Sequence, residues 1–137
     1  HQDDPLAKKD VIYPNDLAER SIVSITGQHM VDRQLDAYLA NAGVTVERYI
    51  SSYFFAIARN IIAVGNEVAI VDPTNGKANL NDGVTWRPFA PRIDHEMAIV
   101  TPSDQQLGKA AGGLHDLITL SLQKLANRPG LGNADAK

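Results

Sequence analysis

The sequence predicts an α/β fold in which strands and helices alternate and neighbouring strands run parallel. Two observations predict it. Short β-branched apolar runs at 21–26, 44–50 and 67–73 alternate with longer segments whose apolar residues recur at helical spacing. The whole order reads β-α-β-α-β, a loop, then β-β-α, the alternation of a layered sheet with helices on its faces.

Each element has a local reason. In "VIYPNDLAER", 11–20, an extended segment leads into a one-turn helix at Pro14-Asn15-Asp16-Leu17, where proline's fixed φ suits a first helical position. "SIVSIT", 21–26, reads as a buried strand. From His29 to Ala42 the residues Val31, Leu35, Tyr38, Leu39 and Ala42 share one helical face, and Gly43 stands at the C-terminal cap position. "VTVERYI", 44–50, reads as a strand. Ser51 and Ser52 then offer an N-cap to "YFFAIARNIIAVG". This helix is apolar on most sides, with Arg59 and Asn60 as its main polar positions, which predicts a core helix or, second, a dimer face. "EVAIVDP" is the next strand, and "TNGKANLNDG" a turn-rich loop. Leu107, Ala111, Leu114, Ile118, Leu122 and Leu125 mark a last helix weakened at Gly112-Gly113, and "NRPGLGNADAK", 127–137, reads as a disordered tail.

Composition removes several function classes. The chain has 137 residues, 44% of them hydrophobic, enough for one domain with its own core. A net charge of -3, with no dense Lys/Arg cluster, argues against a nucleic-acid grip by these residues. The absence of cysteine excludes disulfides, thiolate metal sites and cysteine nucleophiles. No apolar run approaches a membrane span, and "HQDDPLAKKD" is too polar for a signal peptide. It also lacks an initiating methionine, so the expectation is a removed start or a piece of a longer polypeptide. His1, His29, His95 and His115 show no metal-ligand spacing, and no nucleophile motif occurs, so neither a metal site nor a catalytic set is expected.

"VTWRPFAPRIDHEMAIV", 84–100, holds two apolar runs with Pro88 and Pro91 between them. A tight hairpin would want Gly or Asn there. Two prolines favour an extended crossing instead.

Several segments, taken in order, resemble one family. "DDPLAKKDVIYPNDLAERSIVSI", "TGQHMVDRQLDAYLANAG" with its Leu35-Asp36 pair, "FFAIARNIIAVGNEVAIVDP" and "GVTWRPFAPRIDHEMAIVTP" are similar to consecutive parts of the effector-binding domain of LysR-type transcriptional regulators. The family often has a GxGV turn where this chain has Gly65-Asn66-Glu67-Val68. The "IVDP" and "RPFAPRI" spellings are similar to members that sense amino-acid or opine ligands.

The resemblance implies a periplasmic-binding-protein-like α/β fold of two lobes joined by crossing strands. Residues 1–92 would be the second lobe and 88–94 would contain the second crossing. Residues 93–126 would supply the return strand and C-terminal helix of the first lobe. The chain then reads as incomplete, with the rest of the first lobe and a winged helix-turn-helix upstream. The implied partners are a small-molecule effector, further copies in a dimer or tetramer, and DNA only through that upstream domain. No cofactor and no membrane is implied, and the location would be the cytoplasm.

Candidate ligand residues follow from strand ends. In open α/β sheets, ligands bind beyond the carboxyl ends of strands, at helix N-termini. Thr26, Gly27 and Gln28 stand at such a place, and the family resemblance implies that effector carboxylates are held by this loop. Their other reading is a cap and turn with no ligand. Ser51 and Ser52 occupy the equivalent position on the next unit, one as a cap and the other facing the cleft. Asp72 can bind an ammonium or guanidinium group, or begin the "DPTNG" turn. Ile93 offers an apolar cleft wall or an ordinary core position.

The leading functional reading is therefore an effector-sensing regulatory domain that binds a small, anionic, amino-acid-like ligand between lobes. The alternative is a solute-binding receptor of a transporter, which uses the same architecture. A small α/β enzyme comes third.

Overall fold

The computed structural model describes residues 1–26, 30–78, 81–94, 98–102 and 107–126. Its centre is a three-stranded parallel sheet: β1 (Ile22–Ile25) lies between β2 (Ser51–Ser52) and β3 (Val68–Ala69). Four α-helices, α1 (Met30–Ala42), α2 (Phe55–Val64), the single turn α3 (Pro73–Gly76) and α4 (Lys109–Ala126), and two 3-10 turns, Pro5–Lys8 and Pro14–Leu17, complete the described structure. Two compact units divide the chain, His1–His95 and Glu96–Lys137.

In the first unit, the period of two along β1 distributes its side chains to two cores. Ile22 joins Leu35 and Leu39 of α1, with Ile12 and Leu17, in one cluster. Val23 and Ile25 join Ala58 and Ile62 of α2 in the other. The sheet thus has α1 on one face and α2 on the other. Leu17, Ile22, Val23 and Leu35 are the large side chains most completely removed from water.

Local chemistry explains the ends of these elements. Pro14–Leu17 forms the expected single turn, as a 3-10 helix, closed when the Asp16 carboxylate accepts from the Tyr13 amide. Helix α1 ends at Gly43, whose φ of 66° needs a residue without Cβ strain. The Val44 amide reaches back to the Leu39 carbonyl there, the long closing bond of a glycine C-cap.

Four expectations are corrected. The 44–50 run is not a continuous strand. Ser21 pairs with Glu47, and Ser24 with Ser51, so three residues of one chain advance against four of the other. That extra residue is a bulge, and it confines the regular ladder to Ser51–Ser52.

For the same reason Ser51 and Ser52 lie in β2, and the residue before α2 is Phe54, which makes no side-chain cap. Helix α2 begins at Phe55 instead of Tyr53. It is not apolar-buried on most sides: Ile57 and Val64 are exposed while Arg59 is buried. The guanidinium is held inside by the Asp82 carboxylate and by the Ala78 carbonyl at 2.8 Å, which makes its burial tolerable.

The two runs around the prolines form no ladder strands in their described parts, 84–86 and 98–100. The proline segment does pair: Phe89 bridges Ile12 in parallel, with the Ile12 amide donating to Pro88 O and the Ala90 amide to Ile12 O. The Ala90–Pro91 peptide is cis.

In the second unit, α4 runs through Gly112 and Gly113 without a break, and its described side chains include no buried residue. The 127–137 tail lies outside the described residues.

Candidate ligand-binding site

The sheet order β2-β1-β3, with successive helices on opposite faces, places a topological switch between β1 and β3. Loops leaving the carboxyl ends of those strands diverge, and the crevice between them is where such sheets take ligands. Thr26 ends β1 and Asp72 stands three residues past β3.

Thr26 is half-buried and tied to the end of β2. Its amide donates to the Ser52 carbonyl at 2.9 Å, and its hydroxyl to the same oxygen at 3.3 Å. The parallel pairing Ile25↔Ser52 produces this junction. Ser52 is buried, and its hydroxyl closes a local turn: it accepts from the Phe54 amide at 3.2 Å and donates to the Phe54 carbonyl at 3.0 Å. Ser51 is exposed on the same edge strand. Gly27 and Gln28 lie outside the described residues, so the loop is defined by its two ends, Thr26 and Met30.

The other candidates sit apart from this junction in role. Asp72 caps α3: one oxygen accepts from the Thr74 and Asn75 amides at 2.9 and 3.1 Å, the other from the Asn75 side-chain amide at 2.5 Å. Ile93 is partly buried against the α1-side core, as is Phe89. The extended segment around it is clipped to α1, whose Tyr38 hydroxyl donates to Arg92 O at 3.0 Å, while the Asp94 amide donates to the Gln34 side chain at 3.2 Å.

One set of residues escaped the sequence reading. Arg48, in the bulge, donates from Nη1 to Ser24 Oγ at 2.8 Å and to Asp32 at 3.1 Å, and from Nη2 to Asp36 at 2.5 Å. Asp32, in the first turn of α1, also accepts from the Ile25 amide at 3.3 Å. One guanidinium therefore joins β1, the bulged segment and α1. The available signal was the four-residue spacing of Asp32 and Asp36, which puts both on one helical face. Nothing in the spacing pointed to Arg48 as their partner.

Among the described residues there is no cluster of three or more metal-ligating side chains, and no helix is long and apolar enough to cross a membrane.

A small parallel sheet with helices on both faces defines the class: an α/β fold. Sequence comparison gives the family. The LysR substrate binding domain family model matches residues 1–123, and the chain belongs to that family, the substrate-binding domain of LysR-type transcription regulators. The regulatory protein NocR of Agrobacterium tumefaciens (strain T37) is 29% identical over 99 residues, covering 72% of this chain. NocR of Agrobacterium fabrum (strain C58) matches to the same extent. These matches take up 33% of each relative, so the chain corresponds to about a third of their length.

Proposed function

We propose that this chain is the second lobe and return segment of an effector-binding domain. It holds a small carboxylate-bearing, amino-acid-like ligand at the β1–α1 loop. The observation that carries the proposal is the Thr26–Ser52 junction, where the ends of two parallel strands meet immediately before α1 and α2. The positive end of a helix dipole and a threonine hydroxyl are suited to an oxyanion.

In this reading Thr26, Gly27 and Gln28 hold the anionic group, and Ser51 and Ser52 shape the adjoining edge. Asp72 meets the ligand's cationic end at the switch crevice, and Ile93 supplies an apolar wall. Residues 1–92 form the lobe, 88–94 contain the crossing, and 93–126 return to the other lobe. Ligand binding favours one lobe arrangement over another, and only that difference in affinity can move the assembly. The response passes through a cytoplasmic homo-oligomer, dimer or tetramer, to a DNA-binding domain outside these residues. Membership of a regulator family favours this reading over transport-linked solute capture.

The test is a nuclear magnetic resonance titration of the chain with amino acids, opines and simple carboxylates. A binder shifts the Thr26 and Ser52 amide signals, and Thr26→Ala weakens it by roughly tenfold, the worth of one charge-assisted hydrogen bond. Carboxylates that leave both signals unmoved throughout the panel would overturn the proposal.

A further inference from the structure

We infer that Asn75 is a guarded deamidation site: α3 protects it while closed, and its conversion to aspartate or isoaspartate keeps α3 from closing again. The chain holds a single Asn-Gly pair, Asn75-Gly76. Glycine after asparagine leaves the backbone nitrogen free of side-chain hindrance, so such a pair cyclises readily wherever the chain is unstructured. The Gly76 nitrogen bonds to Asn75 Cγ, the Cγ–Nδ2 bond breaks, and the amide proton leaves with the side-chain nitrogen as ammonia. Water then opens the succinimide ring at either carbonyl. The product is aspartate or isoaspartate, with one more negative charge.

In the folded chain both reacting groups are held. The Gly76 amide donates to the Asp72 carbonyl at 2.9 Å, so its proton is engaged inside the turn. The Asn75 side-chain amide donates to Asp72 Oδ2 at 2.5 Å, and the Asn75 backbone amide to Oδ1 at 3.1 Å. Gly76 is buried against the Trp86 ring, where even an added Cβ would overlap. One aspartate, itself 7% exposed, thus holds both partners of the cyclisation. The reaction requires this turn to open.

The product turns an attraction into a repulsion. A carboxylate at 75 replaces a donor with a second acid against the buried Asp72 carboxylate, where water screens poorly. Isoaspartate also adds a backbone carbon before Gly76 and so displaces the glycine from the ring. Either product removes the packing of Trp86, over which Lys77 sits. Opening becomes one-way.

The full chain is aged at neutral pH, folded and in guanidinium chloride, and peptide mass spectrometry follows the unit mass gain at Asn75. Conversion is expected to run at least about tenfold slower in the folded chain. Asp72→Ala speeds it roughly fivefold in the folded chain, the worth of one helix cap, and leaves the denatured rate unchanged. Asn75→Asp reproduces one product directly: hydrogen exchange at the Gly76 and Lys77 amides quickens about fivefold or more, and Trp86 emission moves to longer wavelength. Adding Asp72→Asn to it returns a donor to the pair and restores slow exchange.

Equal conversion in folded and denatured chains would overturn the inference, as would a folded Asp72→Ala chain that converts no faster than the parent. So would parent-like exchange and emission in Asn75→Asp, or a double variant that exchanges as fast as Asn75→Asp. The comparison of folded with denatured parent needs no substitution, and it decides the matter if Asp72→Ala does not fold.

Discussion

Helices α1 and α4 carry the same kind of apolar stripe and end in opposite surroundings. In α1, Val31, Leu35 and Leu39 are buried, with Leu35 only 1% exposed. In α4, Leu114 and Ile118 of the stripe stay exposed, and so does Leu117 beside them, at 64%. Spacing alone does not separate them, since both place apolar residues three and four residues apart. The difference is a partner. Beside α1 in the chain stands β1, whose Ile22 completes a cluster with Leu35 and Leu39. Periodicity decides which residues share a face, but burial needs a second apolar surface to exclude water.

The largest expected effect tests that contrast directly. Leu35→Ala removes atoms from a closed cluster and should cost about 2–5 kcal/mol of stability. Leu117→Ala, on an exposed face, should stay within about 0.5 kcal/mol. Urea unfolding followed by fluorescence of Trp86, the single tryptophan, reads the first. Circular dichroism of the same samples covers α4. Equal losses at both positions would mean that the α4 stripe is covered in solution.

A smaller effect is expected where the first unit packs tightest outside its two clusters. A Cβ added at Gly76 would overlap the Trp86 ring, over which the Lys77 ammonium sits 4.5 Å from the centroid. Gly76→Ala should therefore cost about 1–3 kcal/mol and shift the Trp86 emission to longer wavelength as the ring is displaced. An unchanged spectrum and unchanged stability would show that the ring moves freely.

The smallest effect sharpens a second contrast, between the buried charge of α2 and the surface charge near the start of the chain. The Arg59 hydrogen bond, followed by the Val84 amide, holds the Asp82 carboxyl below its ordinary 3.8. The Lys9 hydrogen bond and then the Tyr13 amide lower Asp16 in the same direction. A folded-state pKa below the unfolded one stabilises the fold above the ordinary value, and the gain is lost as pH falls through the folded value. Stability should therefore decline below about pH 4, and Asp82→Asn should flatten part of that decline, with Asp16 supplying a remainder. Denaturation midpoints between neutral and acid pH check it, and a decline as steep in Asp82→Asn as in the parent would remove Asp82 from the account.

Parts of the fold were legible because their causes are local. The Pro14 turn follows from a fixed φ, the end of α1 from Gly43, and the buried β1 from consecutive β-branched residues. The start of α2 was not legible. Ser51 and Ser52 have the chemistry of a cap, yet pairing with Ser24 and Ile25 draws them into β2. Nor was the interior place of Arg59, because its partner Asp82 lies 23 residues away across α3 and a loop. The runs at 84–86 and 98–100 have strand composition, yet their described residues take no part in a ladder.

The candidate site divides in the same way. Its place after β1 could be read from strand and helix periods, since the carboxyl ends of parallel strands gather at one edge. The Thr26–Ser52 junction and the Arg48–Asp32–Asp36 cluster join residues far apart in the chain, and only the register between β1 and the bulged segment brings them together. The sequence by itself determined the leading alternation of strands and helices and the face that α1 would bury, because steric preference and periodicity act within a few residues. The tertiary structure alone decided which polar groups met, because hydrogen bonds and ion pairs depend on atoms brought within about 3 Å of each other. No spacing along the chain encodes that approach.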